Sequence, residues 1–165
     1  MVSFGHTAVG AAVGLYGLSL YSTGNPILGL VATGAIGVAS HYAADLIPHG
    51  HFIKFKDYKK KVGEAILFDF LLSVLIFSVI AFYKFGFEIE FLYILFGIGG
   101  AQLPDILDGL IYTKKIPNKG LIKIENNIHI ATHWHGKAEK ALMWSKADIW
   151  QVLVFISAVI YLLSF

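Results

Sequence analysis

Long apolar runs alternate with short polar segments along the chain. Five runs are each close to the length of about 20 residues that a helix needs to cross the roughly 30 Å hydrocarbon core of a membrane. They lie at about 4–20, 27–47, 63–82, 91–112 and 148–165. The first run has no basic flank before it, which favours a membrane helix over a cleaved signal peptide. The pattern predicts an all-α, polytopic membrane helix bundle with about five transmembrane helices in a single domain, residues 1–165.

A polar segment at 113–147 separates the last two runs. From Leu121 to about Trp134 this segment carries Ile124 and Ile128 among polar side chains. Such a pattern is typical of a helix that lies along a membrane interface. We therefore predict one interfacial helix in addition to the five spans.

Composition supports a membrane location. Hydrophobic residues make up 56% of the chain, against about 45–50% in ordinary globular domains, and charged residues make up 15%, against about 25%. All thirteen basic residues are lysine, and nothing resembles a nucleic-acid-binding module, so no nucleic-acid partner is expected. The expected partners are membrane lipid and a lipid-like or amphiphilic substrate, and no pattern specifies an oligomeric state.

The lysines set the predicted orientation. Five of them lie at 54–61 and seven at 114–146, whereas Lys84 alone lies between the third and fourth runs. Because lysine-rich loops tend to stay in the cytoplasm, we expect a multi-pass protein of the inner (cytoplasmic) membrane. Its N-terminus and both lysine-rich loops would be cytoplasmic and its C-terminus outside. In this topology the His and Asp residues of the spans all lie near the cytoplasmic face.

The stretch richest in candidate chemistry ends the second run. His41 and Asp45 are four residues apart, so they share one face of a helix. Pro48 disfavours helix at the residue before it, and His49 and His51 follow in the resulting turn. Three imidazoles and one carboxylate within eleven residues indicate a metal or catalytic site.

Further ionisable residues fall near the ends of the other runs. His6 heads a stripe with Gly10 and Gly14, and small residues at this spacing let membrane helices pack closely. A charge at the middle of a span costs about 2.5–3.5 kcal/mol on insertion scales, so it normally faces a partner or a water-filled cavity. The candidate metal ligands are His6, His41, Asp45, Asp105, Asp108, His129 and His133.

The absence of cysteine limits the metal chemistry. A site of histidine and carboxylate ligands suits a divalent transition metal, with zinc expected first and manganese or iron as alternatives. One or two ions fit the pattern, and a pair about 3.5–4 Å apart would activate water and stabilise a leaving oxygen. The candidate catalytic residues are Asp69, Glu64 and His49, and the candidate substrate-binding residues are His51, His135 and Lys54.

Several short motifs resemble those of a known family. They are Phe4-Gly5-His6-Thr7-Ala8-Val9-Gly10, His41 and Asp45 with Pro48 and Gly50, Leu103-Pro104-Asp105, and Thr132-His133. They look like the predicted membrane-bound metal-dependent hydrolases. They are closer still to a set of small uncharacterised bacterial membrane proteins that have Ser-His-xxx-Asp-xx-Pro-His-Gly and Leu-Pro-Asp motifs. The resemblance implies a hydrolase that uses a metal, and it gives no substrate.

These patterns lead to one main hypothesis and two alternatives. The main hypothesis is a membrane-embedded metal-dependent hydrolase that acts on an ester or phosphoester of a lipid-like substrate at the cytoplasmic interface. The first alternative is a metal or proton transporter, since ionisable residues in spans often mark ion pathways. The second is a non-catalytic metal-binding membrane scaffold in which the same residues only hold helices together.

Overall fold

A computed structural model describes residues 3–21, 24–46, 55–132 and 146–164. Within these residues the chain forms helices and no strands, so the predicted all-α class is confirmed. The helices are α1 (Ser3–Tyr21), α2 (Pro26–Asp45), α3 (Phe55–Phe85), α4 (Ile89–Tyr112), α5 (Leu121–Thr132) and α6 (Lys146–Ser164).

Two helices, α2 and α4, are long and apolar enough to cross a membrane. Shorter apolar stretches occupy Phe4–Leu20 in α1, Phe70–Phe85 in α3 and Gln151–Ser164 in α6. Helices thus occupy most of each of the five predicted ranges, while five membrane crossings stay a prediction.

The third helix begins earlier than the apolar pattern indicates. It starts at Phe55, whereas the predicted span starts at residue 63, and the lysines at 56–61 that we assigned to a loop are helical. Lysine is a good helix former, and no glycine or proline interrupts residues 55–62. The loop assignment is therefore wrong for these residues, because polarity marks solvent exposure and does not by itself end a helix.

Glycines bring α4 close to both α1 and α2. A Cβ atom added to Gly10 would lie 2.7 Å from the carbonyl oxygen of Gly97, and one added to Gly37 would lie 2.6 Å from the same oxygen. Real Cβ atoms essentially never come within 3.0 Å of another heavy atom in this way, so these backbones can approach only where the side chain is missing. The predicted glycine stripe of α1 therefore packs inside the bundle.

Apolar side chains fill the space beside this glycine seam. They come from α1, α3, α4 and α6, so the core is shared by four helices. Its buried members are Ala8, Ala11, Leu15, Phe77, Ala81, Ile94, Ile98, Ala158 and Leu162.

Helix α2 presents one buried face along its length. Asn25 caps its start by accepting hydrogen bonds from the backbone N–H groups of Ile27 and Leu28, and Pro26 occupies the first turn, where its missing N–H costs nothing. The buried face contains Gly29, Thr33, Gly37, His41, Ala44 and Asp45, so the predicted shared face of His41 and Asp45 is confirmed. The close packing of α2 on α4 thus places His41 and Asp45, at the end of α2, against α4.

Candidate metal centre

Six of the predicted ligand residues meet at one end of the bundle. They come from four helices: His6 from α1, His41 and Asp45 from α2, Asp105 and Asp108 from α4, and His129 from α5. His6, His41 and Asp45 have no solvent exposure, and His129 is 2% exposed. Residues separated by more than 120 positions in the chain therefore share a single buried cluster.

The ring orientation of His41 is fixed by a backbone contact. Its Nδ1 lies 2.7 Å from the carbonyl oxygen of Ala101, one turn before Pro104 in α4. A carbonyl oxygen only accepts, so Nδ1 carries the proton, and in the neutral ring Nε2 presents a lone pair. That lone pair faces His129 Nε2 at 3.1 Å and Asp45 Oδ2 at 3.1 Å.

His129 is oriented in the same way by a carboxylate. Its Nδ1 lies 3.1 Å from Asp108 Oδ2, and its Nε2 lies 3.2 Å from Asp45 Oδ2. With Nδ1 donating to Asp108, the neutral ring also turns an Nε2 lone pair inward. Lone pairs from two imidazoles and a carboxylate thus converge on one point, and a cation there would relieve the repulsion between them.

Either a proton or a metal ion can supply that cation. Burial alone would lower the pKa of His129, but its contacts with Asp108 and Asp45 outweigh this and raise the pKa from 6.5 to about 10. Without a metal, a proton therefore remains on His129 at neutral pH. A metal ion would take the place of this proton, since a histidine ligand binds in its deprotonated form.

Five separations among four inward-facing atoms are close to those of a tetrahedral zinc site. The atoms are His41 Nε2, His129 Nε2, Asp45 Oδ2 and Asp105 Oδ1, and Asp105 Oδ1 lies 3.8 Å from the first and 3.6 Å from the second. Tetrahedral zinc with bonds of about 2.0–2.1 Å separates neighbouring ligand atoms by about 3.3–3.4 Å. The other measured separations, 3.1, 3.1 and 3.2 Å, lie on the short side of this value, so the two imidazoles can share an ion with either carboxylate.

His6 contacts the far side of Asp45. Its Nε2 lies 3.1 Å from Asp45 Oδ1, and its ring stacks on that of His41 with centroids 3.9 Å apart. Its Nδ1 is buried and has no hydrogen-bond partner among the described residues. His6 is therefore placed either to orient Asp45 or to bind an ion itself.

The cluster is closed on most sides and open beside α4. The side chains of His41 and Asp45 are fully buried, while those of Asp105 and Asp108 are 24% and 35% exposed. Catalytic metal sites keep a position open for water or substrate, whereas structural sites are closed. Of these four residues, the two carboxylates of α4 are therefore the ones with accessible surface.

Further polar residues lie near the cluster. Tyr42 donates a hydrogen bond to Glu125 Oε1 at 3.0 Å and so links α2 to α5. Burial raises the pKa of Glu125, although this hydrogen bond acts in the opposite direction. Thr7 contacts Ser73 at 2.9 Å and accepts a hydrogen bond from Gln102, which links α1, α3 and α4. For Thr7, Ser73 and Gln102, the sequence signal is a polar residue within an apolar helix.

The remaining predicted site residues lie where the structure gives no side-chain position. Glu64 and Asp69 belong to α3, but their side chains are outside the described part of the chain. His49, His51, Lys54, His133 and His135 also lie outside the described residues. The roles predicted for these seven residues stay predictions.

The chain was also compared with known proteins. No family model, no curated protein and no solved structure matches it. The resemblance to membrane-bound metal-dependent hydrolases therefore still depends on the short motifs alone.

Two groups within the cluster have a geometry that could hold a metal ion. The first is His6, His41 and Asp45, and the second is His41, Asp105 and His129. His41 belongs to both groups, but its Nδ1 is already bonded to Ala101, which leaves Nε2 as its one ligand atom. His41 can therefore bind one ion only, and the four-atom set around its Nε2 offers the most complete site.

Proposed function

We propose that this protein is a membrane-embedded metal-dependent hydrolase that acts on an ester or phosphoester of a lipid-like substrate at the cytoplasmic interface. The observation that carries the proposal is the convergence of three buried lone-pair atoms, from His41, Asp45 and His129, with one oxygen of a partly exposed carboxylate, Asp105. The proposed ion is a single zinc, with manganese or iron as alternatives.

The chemistry of the four candidate ligand atoms also suits a zinc ion. Two imidazole nitrogens and two carboxylate oxygens are ligands that zinc accepts, and both imidazoles have partners on their other nitrogen, as histidine ligands of metals usually do. The two carboxylates also balance the charge of a divalent cation within a buried site. A second ion between His6 and Asp45 would have only two described protein ligands, which favours one ion over two.

A divalent ion at this position supplies two effects: it lowers the pKa of a bound water and polarises the oxygen of an ester or phosphoester. The protein supplies the geometry. His41, Asp45 and His129 are buried and held on three sides by Ala101, His6 and Asp108, so the ligand atoms stay in place. Asp105 is the partly exposed member of the set, and a water or substrate would join the ion on this side, as a fifth neighbour or in place of Asp105.

The apolar surface around this opening suits a substrate with an acyl chain. Ile106 follows Asp105 in α4, Ile128 precedes His129 in α5, and both side chains are exposed, at 39% and 45%. Apolar side chains of this size exposed next to a polar cleft are typical of a binding surface for an apolar ligand or a membrane. With α2 and α4 long enough to cross a membrane, they support a location at the lipid interface. The lysine distribution supports the inner membrane with the site on its cytoplasmic side.

Metal content and turnover test the proposal together. The protein, purified in detergent without chelator, should contain about one equivalent of transition metal and should hydrolyse a panel of micellar carboxylic esters and phosphodiesters. His41→Ala and Asp105→Asn should lose turnover, and His41→Ala should also lose the metal. Glu90→Gln, which removes a carboxylate from the first turn of α4, is the matched control and should retain both. Less than half an equivalent of metal in the wild type would contradict the proposal, as would turnover that His41→Ala leaves unchanged.

A non-catalytic metal site is the second candidate, and the distribution of its ligands favours it. The four ligand atoms come from α2, α4 and α5, so a bound ion would tie three helices together. At a free metal concentration of 100 times the dissociation constant, binding would stabilise the fold by about 2.7 kcal/mol. This function predicts a full equivalent of metal and a chelator-dependent loss of thermal stability, with no turnover of any substrate in the panel.

A further inference from the structure

His129 uses both nitrogens of its ring, and the two nitrogens face different residues. Nε2 lies 3.1 Å from His41 Nε2 and 3.2 Å from Asp45 Oδ2, on the side of the proposed ion. Nδ1 lies 3.1 Å from Asp108 Oδ2, on the opposite side of the ring. The ring therefore stands between Asp108 and the other ligand atoms.

Asp108 is itself held by a second residue of α5. Its other oxygen, Oδ1, accepts a hydrogen bond from Asn126 Nδ2. Asn126 in turn accepts a hydrogen bond at 3.1 Å from Asn118, which lies in the segment that connects α4 to α5. Both oxygens of Asp108 are thus engaged by α5, one by His129 and one by a side chain three residues earlier on the same buried face.

The contrast with Asp105 separates the two carboxylates of α4. Asp105 Oδ1 lies within 3.8 Å of the Nε2 atoms of both His41 and His129, whereas Asp108 Oδ2 lies 3.1 Å from the Nδ1 atom of His129. The three-residue spacing places both carboxylates on the same side of α4. One faces the proposed ion, and the other faces the back of a ligand.

We propose that Asp108 is a positioning residue and not a metal ligand: it fixes His129 with Nδ1 protonated and Nε2 directed at the ion, and Asn126 and Asn118 hold Asp108 in place. This inference rests on the proposed function, since it assigns a task within the same metal site. It differs from the sequence-based grouping of Asp108 with the ligands, because contact with the second ring nitrogen is the usual task of an outer-shell carboxylate.

The contact between Asp108 and His129 also affects how α5 is positioned. Close glycine contacts join α1, α2 and α4, and α5, which carries His129, is not part of them in the described residues. His41 and Asp105 are placed by the backbone contact of α2 with α4. Helix α5 is short and exposes Leu121, Ile124 and Ile128 on its outer side. Because these apolar side chains are exposed, they do not fix the position of α5 on α4. The hydrogen bonds to Asp108 do so.

Zinc and cobalt binding to the purified full-length protein tests the proposal. We compare wild type with Asp108→Asn, which keeps a neutral acceptor for Nδ1–H, and Asp108→Ala, which removes the acceptor. Zinc affinity, measured by competition with a chromophoric chelator, should fall by about 10–100-fold in Asp108→Ala, as is usual for loss of an outer-shell partner. The loss in Asp108→Asn should be smaller. X-ray absorption of the cobalt form should give the same number of nearest neighbours in all three proteins.

Asn126 and its neighbour provide the matched control. Asn126→Ala should weaken zinc binding, because it releases one oxygen of Asp108, whereas Asn127→Ala should leave it unchanged, because Asn127 is exposed on the other side of α5. Loss of a nearest neighbour from the cobalt spectrum of Asp108→Ala would show that Asp108 is a ligand and overturn the proposal. An affinity within twofold of wild type in Asp108→Ala would also overturn it.

A measurement on the metal-free protein keeps this proposal separate from the proposed function. In protein labelled with ¹⁵N-histidine, the Nδ1–H proton of His129, assigned by its absence in His129→Gln, should resonate downfield in wild type and lose this shift in Asp108→Ala. If the wild type binds no metal, the hydrolase proposal fails, while this resonance still decides the placement of His129. A resonance that Asp108→Ala leaves unchanged overturns the positioning role.

Discussion

Substitution of two glycines of α4 by alanine should have opposite effects on stability. A Cβ atom at Gly97 would meet the carbonyl oxygen of Gly10 and lie 2.7 Å from the backbone nitrogen of Gly14. Ordinary van der Waals contact begins at 3.4 Å, so α1 and α4 must separate by about 0.7 Å or more. At Gly99 the added Cβ would have no neighbour within 4 Å.

The magnitudes follow from these contacts. Overpacking costs about 1–3 kcal/mol, and backbone atoms cannot rotate out of the way as a flexible side chain does, so the cost at Gly97 belongs at the upper end. Alanine gains about 1 kcal/mol over glycine within a helix, which leaves Gly97→Ala less stable by about 2 kcal/mol. Gly99→Ala receives the helix gain without the clash and should be more stable by about 0.5–1 kcal/mol.

Thermal unfolding in detergent, followed by the helical circular dichroism signal, measures the difference. For a chain of this size about 1 kcal/mol corresponds to 2–4 °C, so the two variants should differ by about 5–12 °C, with Gly99→Ala higher. Gly97→Ala should also bind zinc more weakly, because the seam places α4, and with it Asp105, against its neighbours. A Gly97→Ala protein as stable as Gly99→Ala would refute the close approach of α1 and α4.

Two further predictions concern the cap of α2 and the charge state of the cluster. Asn25→Ala removes the acceptor for the N–H groups of Ile27 and Leu28 at 2.9 and 3.3 Å. Since a cap contributes about 1 kcal/mol, the melting temperature should fall by about 2–4 °C. Asn127→Ala, the control, should leave the melting temperature unchanged. In metal-free protein, the pKa of His129 is raised from 6.5 to about 10, so its contribution to stability is complete below pH 6.5 and is lost as the pH rises towards 10. Chemical unfolding at several pH values with a chelator present should show this decline, and Asp108→Ala should flatten it; an equal decline in both proteins would contradict the assignment to His129.

The helices and the position of the cluster were accessible from the sequence because they depend on local patterns. The spacing of His41 and Asp45 at the end of an apolar run predicts a shared helix face whatever the neighbouring helices are. The combination with Asp105 and His129 followed from the predicted topology, in which their helix ends lie on one side of the membrane. The structure brings these residues together.

Local sequence patterns do not predict which task each residue has within the cluster. Asp105 and Asp108 have the same chemistry and lie near each other in sequence, and only the rotation of α4 against α5 directs one at Nε2 and the other at Nδ1 of His129. The hydrogen bond from His41 to the Ala101 carbonyl leaves no sequence signal, because every residue has a carbonyl group. The polar residues before residue 63 predict a loop, whereas α3 starts at Phe55, because polar side chains are compatible with a helix.

The late position of α5 in the chain has a consequence for biosynthesis. Helices α1, α2 and α4 leave the ribosome before His129 does, so the growing polypeptide contains Asp45 and Asp105 long before the last imidazole of the four-atom set is made. Under the proposed function, the newly made protein acquires its ion only after translation has passed residue 129, and a chain truncated before that point is left with an unfinished site.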